Sequence, residues 1–134
     1  MRPATSGQSF PSGTAFPTLT PTLSAMQVVV SAICTSGRSL REAIGGAERA
    51  LGAHHLSLDK RQTPGRQPGW LKLRSAGGER GAINVEWDKE AQILTARVIT
   101  RGSARPSPIV GDFINYLLAR HRGRIRVITT AFVR

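Results

Sequence analysis

Three stretches between residues 70 and 101 alternate apolar and polar side chains with a period of two, and short turn-forming links join them. In residues 70–75, Leu71 and Leu73 face one way, and Trp70, Lys72 and Arg74 the other. In residues 82–87, Ile83, Val85 and Trp87 oppose Asn84 and Glu86. In residues 93–101, Leu94, Ala96 and Val98 oppose Thr95, Arg97, Ile99 and Arg101. Successive side chains on a strand point to opposite faces, so this alternation demands a sheet with one face in a core. The links at 77–81 and 88–91 are too short for the crossover that parallel pairing needs, so the strands form an antiparallel meander.

The flanking segments supply what covers that face. Residues 27–33, with Val28, Val29, Val30 and Ile33, read as a first strand. Ser39, Leu40, Arg41 and Glu42 match a capping box, in which the serine hydroxyl accepts from the Glu42 amide. Leu40, Ala43, Ile44, Ala47 and Leu51 then share one helical face, and Gly52 ends the helix. Gly45 and Gly46 weaken it by roughly 1 kcal/mol each, a cost that close packing on a sheet would justify. Residues 56–62 read as a further strand, followed by proline–glycine turns at 63–69. A second helix begins with Ser107 as N-cap and Pro108 in its first turn. It carries Val110, Phe113, Ile114, Leu117, Leu118 and His121 at the 3.6 period, and Gly123 closes it. Residues 124–133 form a terminal strand, with Ile125 and Val127 on one face. The expected fold is α+β: a two-layer sandwich of an antiparallel β meander with two helices on one face, in the order β-α-β-β-β-β-α-β. Up to the second helix, that order resembles half of the TATA-binding-protein fold.

Residues 26–134 are expected to be a single α+β domain. Residues 1–25 are rich in Ser, Thr and Pro and have one charged side chain, Arg2, which predicts a disordered tail. The first strand starts directly after Met26, so a non-native start upstream of that methionine is an equal reading. No apolar run approaches the ~20 residues a membrane span needs, and the expectation is no membrane partner. The one cysteine, Cys34, allows neither an intrachain disulfide nor a cysteine metal cluster. That suits a reducing, cytoplasmic setting.

Function rests on charge. The chain has 19 Lys and Arg against 8 Asp and Glu, a net of +11, and all but Lys60, Lys72 and Lys89 of the basic residues are arginine. Such an excess favours a polyanion, and the expected partner is nucleic acid, RNA ahead of DNA. The densest patch is Arg120, Arg122, Arg124 and Arg126, whose guanidinium forks match phosphate oxygens. Cations at the end of a helix also complement its dipole, so a structural role stands beside the binding one. The outward face of the meander adds Lys72, Arg74, Arg97 and Trp70, with Arg101 beside them and Asn84 and Thr95 between, an aromatic among cations on which bases can stack. Its plain counterpart is a solvated face in which Glu86 pairs with Arg74 or Arg97. If about six phosphates are contacted, the log–log salt slope on duplex DNA should be roughly −5.

Thr35, Ser36, Gly37 and Arg38 join a strand to a helix start and form a secondary anion-site candidate, against the preferred reading of a capped helix start. A phosphatase loop on Cys34 would need arginine at position 40, which is Leu. His54 and His55 are adjacent and point apart on an extended chain, and His121 reads as a hydrogen-bonded core histidine. No carboxylate pair, metal-ligand spacing or nucleotide-binding glycine pattern occurs, so the chain is expected to be non-catalytic, with no metal and no cofactor. Two alternatives stay open. One is an assembly subunit that pairs through an exposed terminal strand at residues 125–133. The other is a small-ligand domain with a pocket between sheet and helices.

Overall fold

The structure is a computed structural model and describes residues 25–60 and 71–133. Valine-rich β1 (Ala25–Cys34) is followed by α1 (Leu40–Gly45) and α2 (Glu48–Gly52). The strands β2 (Leu56–Leu58), β3 (Leu71–Ser75), β4 (Ala82–Asp88) and β5 (Ile93–Arg101) come next, then α3 (Ser107–Arg120). A 3-10 turn, Arg122–Arg124, leads into β6 (Ile125–Val133). The result is an α+β protein: among the described residues, a six-stranded antiparallel sheet in the order β2-β3-β4-β5-β1-β6 and three α-helices.

Period-two alternation decides which face is dry. Val28, Val30, Ala32 and Cys34 of β1 are buried, as are Leu73 of β3, Ile83 and Val85 of β4, and Leu94, Ala96 and Val98 of β5. They form one core with Leu40, Ile44 and Leu51 of the first helical pair and with Ile109, Phe113, Tyr116 and Leu117 of α3. The helical and buried strand side chains thus share one core, and the intervening strand residues point to the other face of the sheet.

Three expectations are corrected. The segment 40–51 is two helices, because the chain leaves helical geometry at Gly46 and Ala47, where Ala47 has φ −115° and ψ 46°. Adjacent glycines are the weakest point of such a helix, and the Gly46 amide closes the last turn of α1 onto the Glu42 carbonyl at 3.1 Å. The second expected helix starts at Ser107 without a side-chain cap, and its buried stripe runs through Ile109 and Tyr116, leaving Leu118 exposed. In β6, Ile125 and Val127 lie on opposite faces. Cys34 pairs with Ile125 while Ile33 pairs with Val127, so Arg126 is an extra residue in the ladder. Such a bulge shifts the alternation by one. The expected strand at 56–62 and the turns at 63–69 fall partly or wholly outside the described residues, as do the tail and Trp70.

Among the described residues, no helix is long and apolar enough to cross a membrane.

Candidate nucleic-acid interface

The sheet face without helices is the most basic surface that the strands build. Registers place Lys72 of β3 opposite Asn84 of β4, and Asn84 opposite Arg97 of β5, in one row across the sheet. Arg74, Ala82 and Ile99 form the neighbouring row. Leu73 on β3 and Ala96 and Val98 on β5 are fully buried, so the lysine and arginines between them project away from the core. At the end of these rows lies an open cleft of about 600 Å³, lined among others by Lys72, Arg74, Arg80, Asn84 and Arg101.

Carboxylates temper part of this charge. Asp59, whose side chain is 4% exposed, accepts from Arg74 Nε at 2.9 Å and lies 4.0 Å from Lys72 Nζ. Its own backbone amide donates to the Lys72 carbonyl, which fixes the acid beside the two cations. Arg97 stands 3.9 Å from Glu86, a loose and half-exposed pair worth about 0–1 kcal/mol in water. Arg80 and Arg101 make no ion pair among the described residues. Both line the cleft; alternation already sets Arg101 on the outward face, whereas Arg80 was not foreseen. Arg80 sits in the glycine-rich link at 77–81, where no periodicity points to a face.

The arginines at the end of α3 are elsewhere. Arg120 and Arg122 are exposed, and Arg126 is exposed at the bulge. The row of Arg74 ends on β6 at Val133, seven residues along the strand from Arg126. With ~3.4 Å per residue and ~4.8 Å between strands, Arg126 is on the order of 30 Å from Arg74 and about 20 Å from Arg97. Both exceed two Debye lengths of ~8 Å at physiological salt, so the patches act as separate charges. Arg124 is built into the fold. Its two terminal nitrogens donate to the Arg38 and Thr35 carbonyls, each at 3.0 Å.

The loop of Thr35, Ser36, Gly37 and Arg38 holds that guanidinium. The Thr35 amide donates to the Arg124 carbonyl at 2.8 Å, and the Gly37 amide to Gln92 Oε1 at 3.0 Å. Two of the loop amides that would greet an anion are thus engaged within the fold, and α1 behind them has six residues. Ser39 caps α1 as expected, its Oγ accepting from the Glu42 amide.

Cys34, His54 and His121 pack at the core or its margin. Cys34 is buried, with Sγ 3.5 Å from the Ala32 carbonyl, and burial pushes its thiol pKa up. His54 packs edge-on against Tyr116. His121 is hydrogen-bonded to the Tyr116 hydroxyl, in the role expected of it. Among the described residues, no group of three or more His, Cys, Asp or Glu side chains is placed to hold a metal ion.

No known family, curated protein or solved structure matches the chain. The likeness of element order to half of the TATA-binding-protein fold therefore carries no argument about function.

Proposed function

We propose that this protein is a non-catalytic nucleic-acid-binding domain whose contact surface is the helix-free face of the sheet. One observation carries the reading. Lys72, Arg74, Arg80 and Arg101 line one shallow cleft, Arg97 stands in the row of Lys72 and Asn84 on the same face, and Arg80 and Arg101 have no carboxylate partner among the described residues. An open sheet face can lie along a single strand, taking phosphates on its arginines, with Asn84 and Thr95 between them to bond sugars or base edges. This favours single-stranded RNA over duplex DNA. Arg120, Arg122 and Arg126 form a second, detached patch that would add affinity only on a longer strand. Recognition would be largely independent of sequence, because phosphate contacts carry no base information.

The test is a fluorescence-anisotropy titration of labelled single-stranded RNA at several salt concentrations. Contact by the four cleft cations and Arg97 predicts a log–log slope of about −3.5 on a single strand. Arg80→Glu with Arg101→Glu should abolish binding at moderate salt, while Arg120→Glu with Arg122→Glu should leave short strands bound. Binding that ignores salt, or that survives the cleft reversal, would refute the reading.

A further inference from the structure

The two edges of the sheet are not alike. The β2 edge has three residues and runs into Asp59 and Lys60. Short length and charge are ways in which an edge is kept from pairing with another chain. The β6 edge has nine residues, and from Val127 to Val133 it contains neither a charge nor a proline. Apolar groups stand out along it. Phe132 is 79% exposed, and Val127, Val133 and Leu118 of the adjacent helix are 45–46% exposed. Between α3 and β6 runs a groove that includes Ile114, Leu118, Ile128 and Thr130 in its lining.

The strand is also self-complementary. About Thr130, antiparallel pairing of two copies sets Val127 against Val133, Ile128 against Phe132, and Thr129 against Ala131. Directly opposed residues share a face of the sheet. Phe132 pairs with buried Val28 of β1 and Ile128 with buried Ala32, so both point to the helix side. Phe132 of each copy would then lie beside the Ile114–Leu118–Ile128 groove of the other. A two-fold interface needs this reciprocity, in which residue i meets j and j meets i. From Val127 to Val133 the pairing brings no like charges together; the basic residues, Arg126 and Arg134 in the sequence, fall toward the ends of the paired strands, where salt screens them.

We infer that β6 is a homodimerisation edge: two copies pair β6 to β6, antiparallel about Thr130, into one continuous sheet. The occupant is a second copy and not an acidic peptide, because the palindromic apolar pattern is a property of this strand alone. The inference is independent of nucleic-acid binding, and nuclease-treated protein is used to test it.

Sedimentation equilibrium of the full chain should give about twice the 14.4 kDa chain mass. Hydrogen exchange should show the outward amides of β6 protected in a concentration-dependent way. Phe132→Asp changes a solvent-facing position of the single chain but buries a carboxylate in the pair. It should weaken association on the order of a hundredfold while leaving the circular dichroism spectrum unchanged. A mass of one chain at every concentration, with fast-exchanging β6 amides, would overturn the inference. A dimer indifferent to Phe132→Asp would overturn it too, because the interface would lie elsewhere. Should Phe132→Asp misfold, Ala131→Lys tests the same pairing from the other face, where it meets Thr129 of the second copy. Association unchanged in a folded Ala131→Lys variant would count against the edge.

Discussion

The hydroxyl of Tyr116 and Nε2 of His121 share a 2.9 Å hydrogen bond at the end of α3. Burial first, and then the nearby Arg120 and Arg124 charges, hold the His121 pKa below its ordinary value of 6.5. Below pH 6.5 the unfolded chain therefore binds a proton that the folded chain resists. Linkage makes stability fall as pH drops through that value toward the folded-state pKa. Urea unfolding midpoints should decline from pH 7 into the acid range, and His121→Gln should reduce that decline.

Tyr116 gives the alkaline counterpart. It is fully buried, and desolvation of the phenolate pushes its pKa up to about 12 from 10.0, the Arg120 charge opposing this in part. Between those values the unfolded chain releases a proton that the folded chain keeps, so stability falls as pH rises through that window. Tyr116 is the only tyrosine in the chain. An ultraviolet absorbance titration of the folded protein should therefore show a single phenolate transition, displaced toward pH 12.

Gly81 should not tolerate a side chain. A Cβ there would stand 2.5 Å from Ile109 Cδ1 and 2.9 Å from the Ile99 carbonyl oxygen. The isoleucine tip can turn aside, but the β5 backbone cannot. Gly81→Ala should destabilise the fold by about 1–3 kcal/mol, the usual cost of overpacking, as a lower thermal midpoint.

Arg124 should behave as a structural residue and not as a phosphate ligand. Its Cζ lies 2.8 Å from where a Cβ on Gly37 would be, and its fork bridges two loop carbonyls. A lysine has one nitrogen and cannot bridge both. Arg124→Lys should lower stability by about 1–2 kcal/mol, measured by denaturant unfolding, with no change in the salt slope of RNA binding. Gly37→Ala should reproduce the stability loss.

Asp59 should act as a brake on the cleft. Asp59→Asn removes the carboxylate that holds Arg74 and draws on Lys72. RNA affinity at low salt should rise several-fold while stability falls by about 1 kcal/mol or more, because the buried acceptor loses its charge. Anisotropy and unfolding curves on the same variant would separate the two effects.

Much of the fold was legible in the residues because it depends on local period. Leu73, Ile83, Val85, Leu94, Ala96 and Val98 were assigned to the inner face by alternation alone, and all six are buried. The outward direction of Lys72, Arg74 and Arg97 follows from the same pleat. So does the Ser39 cap, whose partner is three residues away. What failed depended on a neighbour distant in the chain or on one departure from regularity. The extra residue at Arg126 inverted the faces of β6, and two glycines divided one expected helix into two. The candidate site was half legible for the same reason. Alternation sets Arg101 on the face of Lys72 and Arg74, but no spacing in the sequence foretells that Arg80 borders the same cleft, or that Asp59 restrains two of those cations.

The residues by themselves determined the strands of the meander, the α+β class and the excess of positive charge, because hydrophobic period and net charge are properties of neighbours in sequence. Only the tertiary structure decided how that charge is distributed. Strand order carries the α3-terminal arginines away from the sheet-face group, and a loop 86 residues distant from Arg124 encloses its guanidinium. Coulomb and hydrogen-bond energies depend on separation in space, and that separation is set by packing.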